Sequence, residues 1–125
     1  VEKVLSAETM KGLPRESVQL AGKKTYEGPV LSYVLREAGA PGGAKLHGPA
    51  MRDYVVVRGK DGFAAVLSLA ETDADFSDGL AILADTVEGQ PLAERDRPYR
   101  LVVQGDKKGS RSVWAAERAD LKSAN

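Results

Sequence analysis

The chain has 125 residues, 42% of them hydrophobic, with 18 basic and 18 acidic side chains that cancel, one histidine and no cysteine. That length supports one domain, residues 1–125, able to bury roughly two-thirds of its unfolded surface in a single core. Zero net charge gives no general attraction to nucleic acid or to anionic membrane, and the lack of cysteine excludes disulfides, thiolate metal ligands and a thiol nucleophile.

The first element is a short helix from Ser6 to Gly12, with Ser6 as N-cap, Glu8 in the first turn, Gly12 at the stop and Pro14 just beyond. A short strand follows near Val18 to Leu20. In "YEGPVLSYVLREAGAPGG" the helical signal is stronger. Pro29 suits a first helical position, Val30, Leu31, Val34, Leu35 and Ala38 share one face with Arg36 and Glu37 on the solvated side, and Gly39 then Pro41 end it. "YVVVRGKDGFAAVLSL" predicts a hairpin around Gly59-Lys60-Asp61-Gly62, where glycine and Asp supply positive φ.

"AETDADFSDG" reads as a helical turn or loop, "LAILAD" as a buried strand, and "VEGQPL" as a turn ending in Pro91. Two further strands, Tyr99 to Gln104 and Ser112 to Ala119, flank a glycine-rich loop, and Val55, Val57, Leu101 and Val103 are core strand positions. Strands do not alternate with long helices, so the pattern predicts an α+β fold of mixed or antiparallel sheets with a few short helices. No apolar run approaches the roughly 20 residues that span a bilayer, so no membrane insertion is expected. The start at Val1 rather than Met is compatible with removal of an upstream tag or export signal.

Several motif-like stretches lack the spacing their chemistry needs. "GAPGGA" at 39–44 follows a helix instead of a strand, and "GDKKGS" at 105–110 has one residue too few and no Gly-Lys-Ser/Thr for a phosphate loop. Asp73, Asp75 and Asp78 are not a calcium loop, because the sixth and twelfth positions from Asp73 are Asp78 and Ala84; a solvated acidic turn is expected. His47 has no companion imidazole and reads as a surface loop residue.

Local charge is concentrated at one place. Between residues 95 and 111 there are six cations, Arg95, Arg97, Arg100, Lys107, Lys108 and Arg111, against Asp96 and Asp106. Gly105 and Gly109 let backbone N–H groups approach a ligand, and Ser110 and Ser112 add hydroxyls. That combination favours a phosphate-bearing or otherwise anionic small molecule.

"RPYRLVVQGDKKGSRSVW", "LADTVEGQPL", "KDGF" and "YEGPVLSYVLREAGAP" occur in the same order as similar motifs of the sulfite oxidase-like molybdopterin-binding domain family. Over roughly residues 26–114 the chain resembles a small, truncated member of that family. The resemblance implies the sulfite oxidase-like fold, and it implies molybdopterin as the cofactor type, with Arg100, Gly105, Ser110, Arg111, Ser112 and Val113 lining the cofactor groove. It also implies a periplasmic or secreted location.

The family holds molybdenum by a cysteine, which this chain lacks, so ligation by Cys is ruled out. The expectation is therefore a binder of a pterin or other anionic ligand, or of a protein partner, without redox catalysis. The alternative is a molybdopterin-dependent oxidoreductase with water, Asp or Ser as the metal ligand. Trp114 stands where the family has a lysine and is expected in the core or at the edge of the cleft.

Overall fold

The computed structural model describes residues 2–19, 24–43, 46–73, 80–106 and 111–123. In chain order these form β1 (Glu2–Val4), α1 (Ala7–Met10), β2 (Arg15–Gln19), β3 (Thr25–Pro29), α2 (Leu31–Glu37), β4 (Asp53–Gly59) and β5 (Ala64–Ser68). There follow β6 (Ala81–Ala84), β7 (Thr86–Val87), β8 (Gln90–Pro91), β9 (Arg100–Val103) and β10 (Ala116–Ser123). Three 3-10 turns lie at Gly48–Arg52, Ala70–Thr72 and Glu94–Asp96. The strands make three antiparallel sheets, ordered β1-β10-β4-β5, β2-β3-β7-β8 and β6-β9. This is an α+β domain of antiparallel sheets with few helices, and no helix among the described residues is long and apolar enough to cross a membrane.

Local chemistry accounts for most boundaries. Ser6 caps α1 in a box whose other half is Thr9 rather than an acid: Thr9 N–H donates to Ser6 Oγ, and Ser6 N–H to Thr9 Oγ1, both at 3.3 Å. Gly39 ends α2 with φ +96, its N–H donating to the Arg36 carbonyl while Ala40 N–H reaches back to Leu35, the paired bonds of a Schellman stop. The β4–β5 hairpin turns where expected, but of the residues expected to supply positive φ only Gly62 does, at +87; Gly59 and Asp61 do not, and Asp61 instead accepts from Phe63 N–H at 3.0 Å. "VEGQPL" becomes a β7–β8 hairpin in which both central residues, Glu88 and Gly89, have positive φ, the backbone of a type I′ turn.

The pair β6-β9 divides two cores. Ala81, Leu83, Leu101 and Val103 face a larger cluster with Leu31, Val34 and Leu35 of α2 and Val55, Val57 and Leu67 of β4 and β5. Ile82, Ala84 and Val102 face a smaller one with Val18, Tyr26, Val30 and Leu92. Every residue of β6 and β9 is buried, as their near-continuous apolar runs require.

Four expectations are corrected. Pro29 is not a helical residue: it ends β3 opposite Arg15, and the chain turns helical only after Val30, whose N–H donates to the Pro14 carbonyl at 3.0 Å. Of the apolar face of α2, Ala38 is only half-buried, and Ala40, beyond the helix, is buried instead. Asp73 is not a solvated acidic turn but is 3% exposed, accepting from Gly43 N–H at 2.8 Å and pairing with Arg36 at 3.3 Å. Asp75 and Asp78 lie outside the described residues.

The last correction concerns the strand after the charged loop, expected over Ser112 to Ala119: β10 runs from Ala116 to Ser123. β9 pairs with β6 and β10 pairs with β1 and β4, and an isolated bridge joins Tyr99, just before β9, to Ala116 at the start of β10. Val113 is held against β9 by the Leu101 N–H bond to its carbonyl at 2.9 Å, and Ala115, with φ +50, redirects the chain into Ala116.

Candidate functional site

Arg100 opens β9 and alternates with Val102, so its side chain lies on the small-core side, next to Tyr26 of β3. The residue is 9% exposed. Its Nε donates to Ser112 Oγ at 2.7 Å, its Nη1 donates to the Tyr26 hydroxyl, and Ser112 Oγ donates onward to the Leu101 carbonyl at 2.8 Å. The guanidinium carbon lies 3.6 Å from the Trp114 ring centroid and 4.8 Å from that of Tyr26, so the cation is stacked on aromatic faces. Nη2 makes no hydrogen bond among the described residues.

Trp114 reaches this position because Gly59, at the end of β4, carries no side chain: a Cβ there would run into the Trp114 carbonyl oxygen. The indole is 42% exposed, so one side of the cation–aromatic stack faces solvent. Trp114 is thus exposed rather than in the core.

The residues expected to line one groove do not all meet. Arg100 and Ser112 are in direct contact, and Val113 is fully buried in the larger core. Gly105 is exposed at φ +92 with open space around it, which explains the glycine through its backbone. Arg111 turns to two carboxylates: Nη1 to Glu71 Oε1 at 2.7 Å, and Nε and Nη2 to Asp106 at 3.1 and 2.9 Å. Ser110, with Lys107, Lys108 and Gly109, lies outside the described residues. Tyr26 is the functional candidate that sequence reading passed over, since nothing local marks a tyrosine 74 positions from its arginine.

Electrostatics separates the two arginines. The hydrogen bonds it donates to Asp106 and then Glu71 hold the Arg111 guanidinium above its ordinary value. Burial pushes the Glu71 carboxyl up, but the bonds from Arg111 and Ser68 outweigh it and leave it below the usual carboxylate range. Burial pulls Arg100 down, and the Tyr26 phenol and the charge of Asp96 only partly offset this. Arg15, Arg36, Arg58, Arg111 and Arg118 each have a carboxylate oxygen within 3.5 Å. Arg100, more buried than any of them, has none within ion-pair distance among the described residues.

His47 is exposed ahead of the Gly48–Arg52 turn and caps nothing through its side chain. Among the described residues no group of three or more His, Cys, Asp or Glu side chains could hold a metal ion. No protein-family model matches the chain, and none of the curated proteins does.

Proposed function

We propose that this domain binds a small anionic ligand carrying a planar ring, with Arg100 as the anion receptor and Trp114 as the stacking surface. One observation carries the reading: a buried guanidinium with no carboxylate within ion-pair distance among the described residues, in a chain whose half-buried arginines each have one. A charge taken out of water needs a counter-ion, and aromatic stacking supplies only part of the lost hydration. Nε and Nη1 of Arg100 are taken by Ser112 and Tyr26, and the remaining Nη2 suits one oxygen of a phosphate or carboxylate, while the exposed side of the indole suits a flat heterocycle.

The resemblance to the sulfite oxidase-like family gives this ligand a candidate chemistry, a pterin with its phosphate. Arg100, held in place by Ser112, and Trp114 fit the anionic and planar parts of such a group. The metal-holding part does not fit, because the chain has no cysteine to supply a thiolate. The reading is therefore a binding module, and no catalytic step is assigned.

Trp114 is the chain's one tryptophan, so its emission reports on this site alone. Titrating a pterin monophosphate should quench or shift that emission saturably in the native protein. In Arg100→Gln, which removes the charge but keeps an amide within reach of Ser112, affinity should fall at least about tenfold, the loss expected for a hydrogen bond to a charged group. Equal binding by both proteins, or no response from the native one, overturns the assignment. Protein produced in a molybdopterin-competent bacterium should also carry pterin, read by fluorescence after oxidation, with molybdenum measured on the same sample. Stoichiometric metal there would favour the oxidoreductase alternative.

A further inference from the structure

A cavity of about 270 Å³ opens between α1, the start of β2 and the segment leading into β9. It shares no residue with the Arg100 site. Met10, Leu13 and Pro29 supply its apolar wall, and Lys11, Arg15, Asp85 and Tyr99 its polar groups.

Tyr99 supplies the donor inside it. The residue is 4% exposed and lines the cavity, and its hydroxyl makes no hydrogen bond among the described residues. It is not one of the buried side-chain atoms left without a partner, so it opens onto the cavity and is free to donate to a ligand there. The neighbouring carboxylate is already occupied. Asp85 accepts from Arg15 Nη1 at 3.0 Å and Nη2 at 2.7 Å, and Thr86 Oγ1 donates to it at 2.8 Å. Arg15 in turn divides its charge between Asp85 and Glu27. The groups left over are donors: the Tyr99 hydroxyl inside and the exposed Lys11 ammonium, which has no ion pair among the described residues. Burial and the charge of Asp85 both keep the Tyr99 phenol protonated, with Arg15 opposing weakly, so it remains a donor at neutral pH.

We infer that this cavity takes a small aliphatic monocarboxylate, its carboxylate accepting from Tyr99 and Lys11 and its short chain lying against Met10, Leu13 and Pro29. One phenol and one ammonium match one singly charged head. The volume, just under the roughly 300 Å³ at which ligand pockets usually begin, limits the tail to a few carbons.

Butyrate is the probe, with butyramide as its neutral isostere, followed by amide chemical shifts of the full chain in an NMR titration. Butyrate should shift the Gly12 and Tyr99 amides saturably, and butyramide should bind at least about tenfold more weakly. Tyr99→Phe, which removes one oxygen, should weaken butyrate about tenfold while the rest of the spectrum stays in place, and Lys11→Gln should weaken it too. Arg100→Gln should bind butyrate as the native chain does, which separates this inference from the pterin reading. Equal binding of butyrate and butyramide, native affinity in Tyr99→Phe, or no shift up to about 50 mM, beyond the weakest useful affinity, overturns it.

Discussion

Arg100 Nε and Ser112 Oγ meet at 2.7 Å, and the same serine hydroxyl donates to the carbonyl of Leu101, the residue next to Arg100. The hydroxyl therefore ties the guanidinium to the strand that carries it and fixes which edge of the fork remains free. Ser112→Ala leaves a buried charged N–H without its acceptor and a buried carbonyl without one donor. We expect a stability loss of about 1–3 kcal/mol, read as a lower midpoint in urea at unchanged slope.

Tyr26 holds the other end of the fork, with its hydroxyl accepting from Arg100 Nη1. Tyr26→Phe keeps the ring and its stacking and removes only the acceptor, at an expected cost of about 1–3 kcal/mol. Because Ser112 and Tyr26 serve one guanidinium, the double variant should lose less or more than the sum of the singles by at least about 0.5 kcal/mol. Strict additivity in a double-mutant cycle would mean that Arg100 is not the shared centre.

Gly28 in β3 lies against β6 so closely that a Cβ would collide with the Leu83 carbonyl oxygen and the Ala84 backbone. The obstacle is main chain, which cannot rotate away, so Gly28→Ala should separate β3 from β6. A loss of about 1–3 kcal/mol is expected, the scale of overpacking a tight interior. By contrast Gly105→Ala meets no atom, and its penalty should be only that of the left-handed backbone, about 1 kcal/mol. Thermal melts of the two variants should rank them in that order.

Glu71 and Asp85 are both held below the ordinary carboxylate range, in each case because arginine and hydroxyl or amide bonds outweigh the upward push of burial. A lowered folded value makes the ionised form favour folding. The contribution is complete above the unfolded carboxylate value of about 4 and is lost as pH falls through the lower folded value. Each pair is about a third exposed, so solvent screening keeps the effect to no more than about 1 kcal/mol apiece. Urea midpoints should be flat from about pH 7 to 5 and drop below about pH 4. In Arg111→Gln the neutral-pH midpoint should be lower and the acid drop shallower, and an unchanged acid slope would exclude Glu71 as a contributor.

The sequence by itself determined what depends on neighbours along the chain. Gly62 placed the β4–β5 turn, Ser6 and Gly39 placed helix ends, and apolar runs marked β6 and β9 as buried, because φ preference, capping and side-chain periodicity act over a few residues. The cations around Gly105 were also legible as a local excess of charge. Only the tertiary structure decided how that charge is used. Arg111 is neutralised by Glu71, 40 positions away, while Arg100 is carried to the other face of the β6–β9 wall, beside Tyr26 and away from any carboxylate within ion-pair distance among the described residues. Two arginines eleven positions apart are equivalent to local sequence reading. They differ because sheet pairing sends β9 to β6 and β10 to β1 and β4, and the desolvation and partners of a charge are set by what that pairing brings near it.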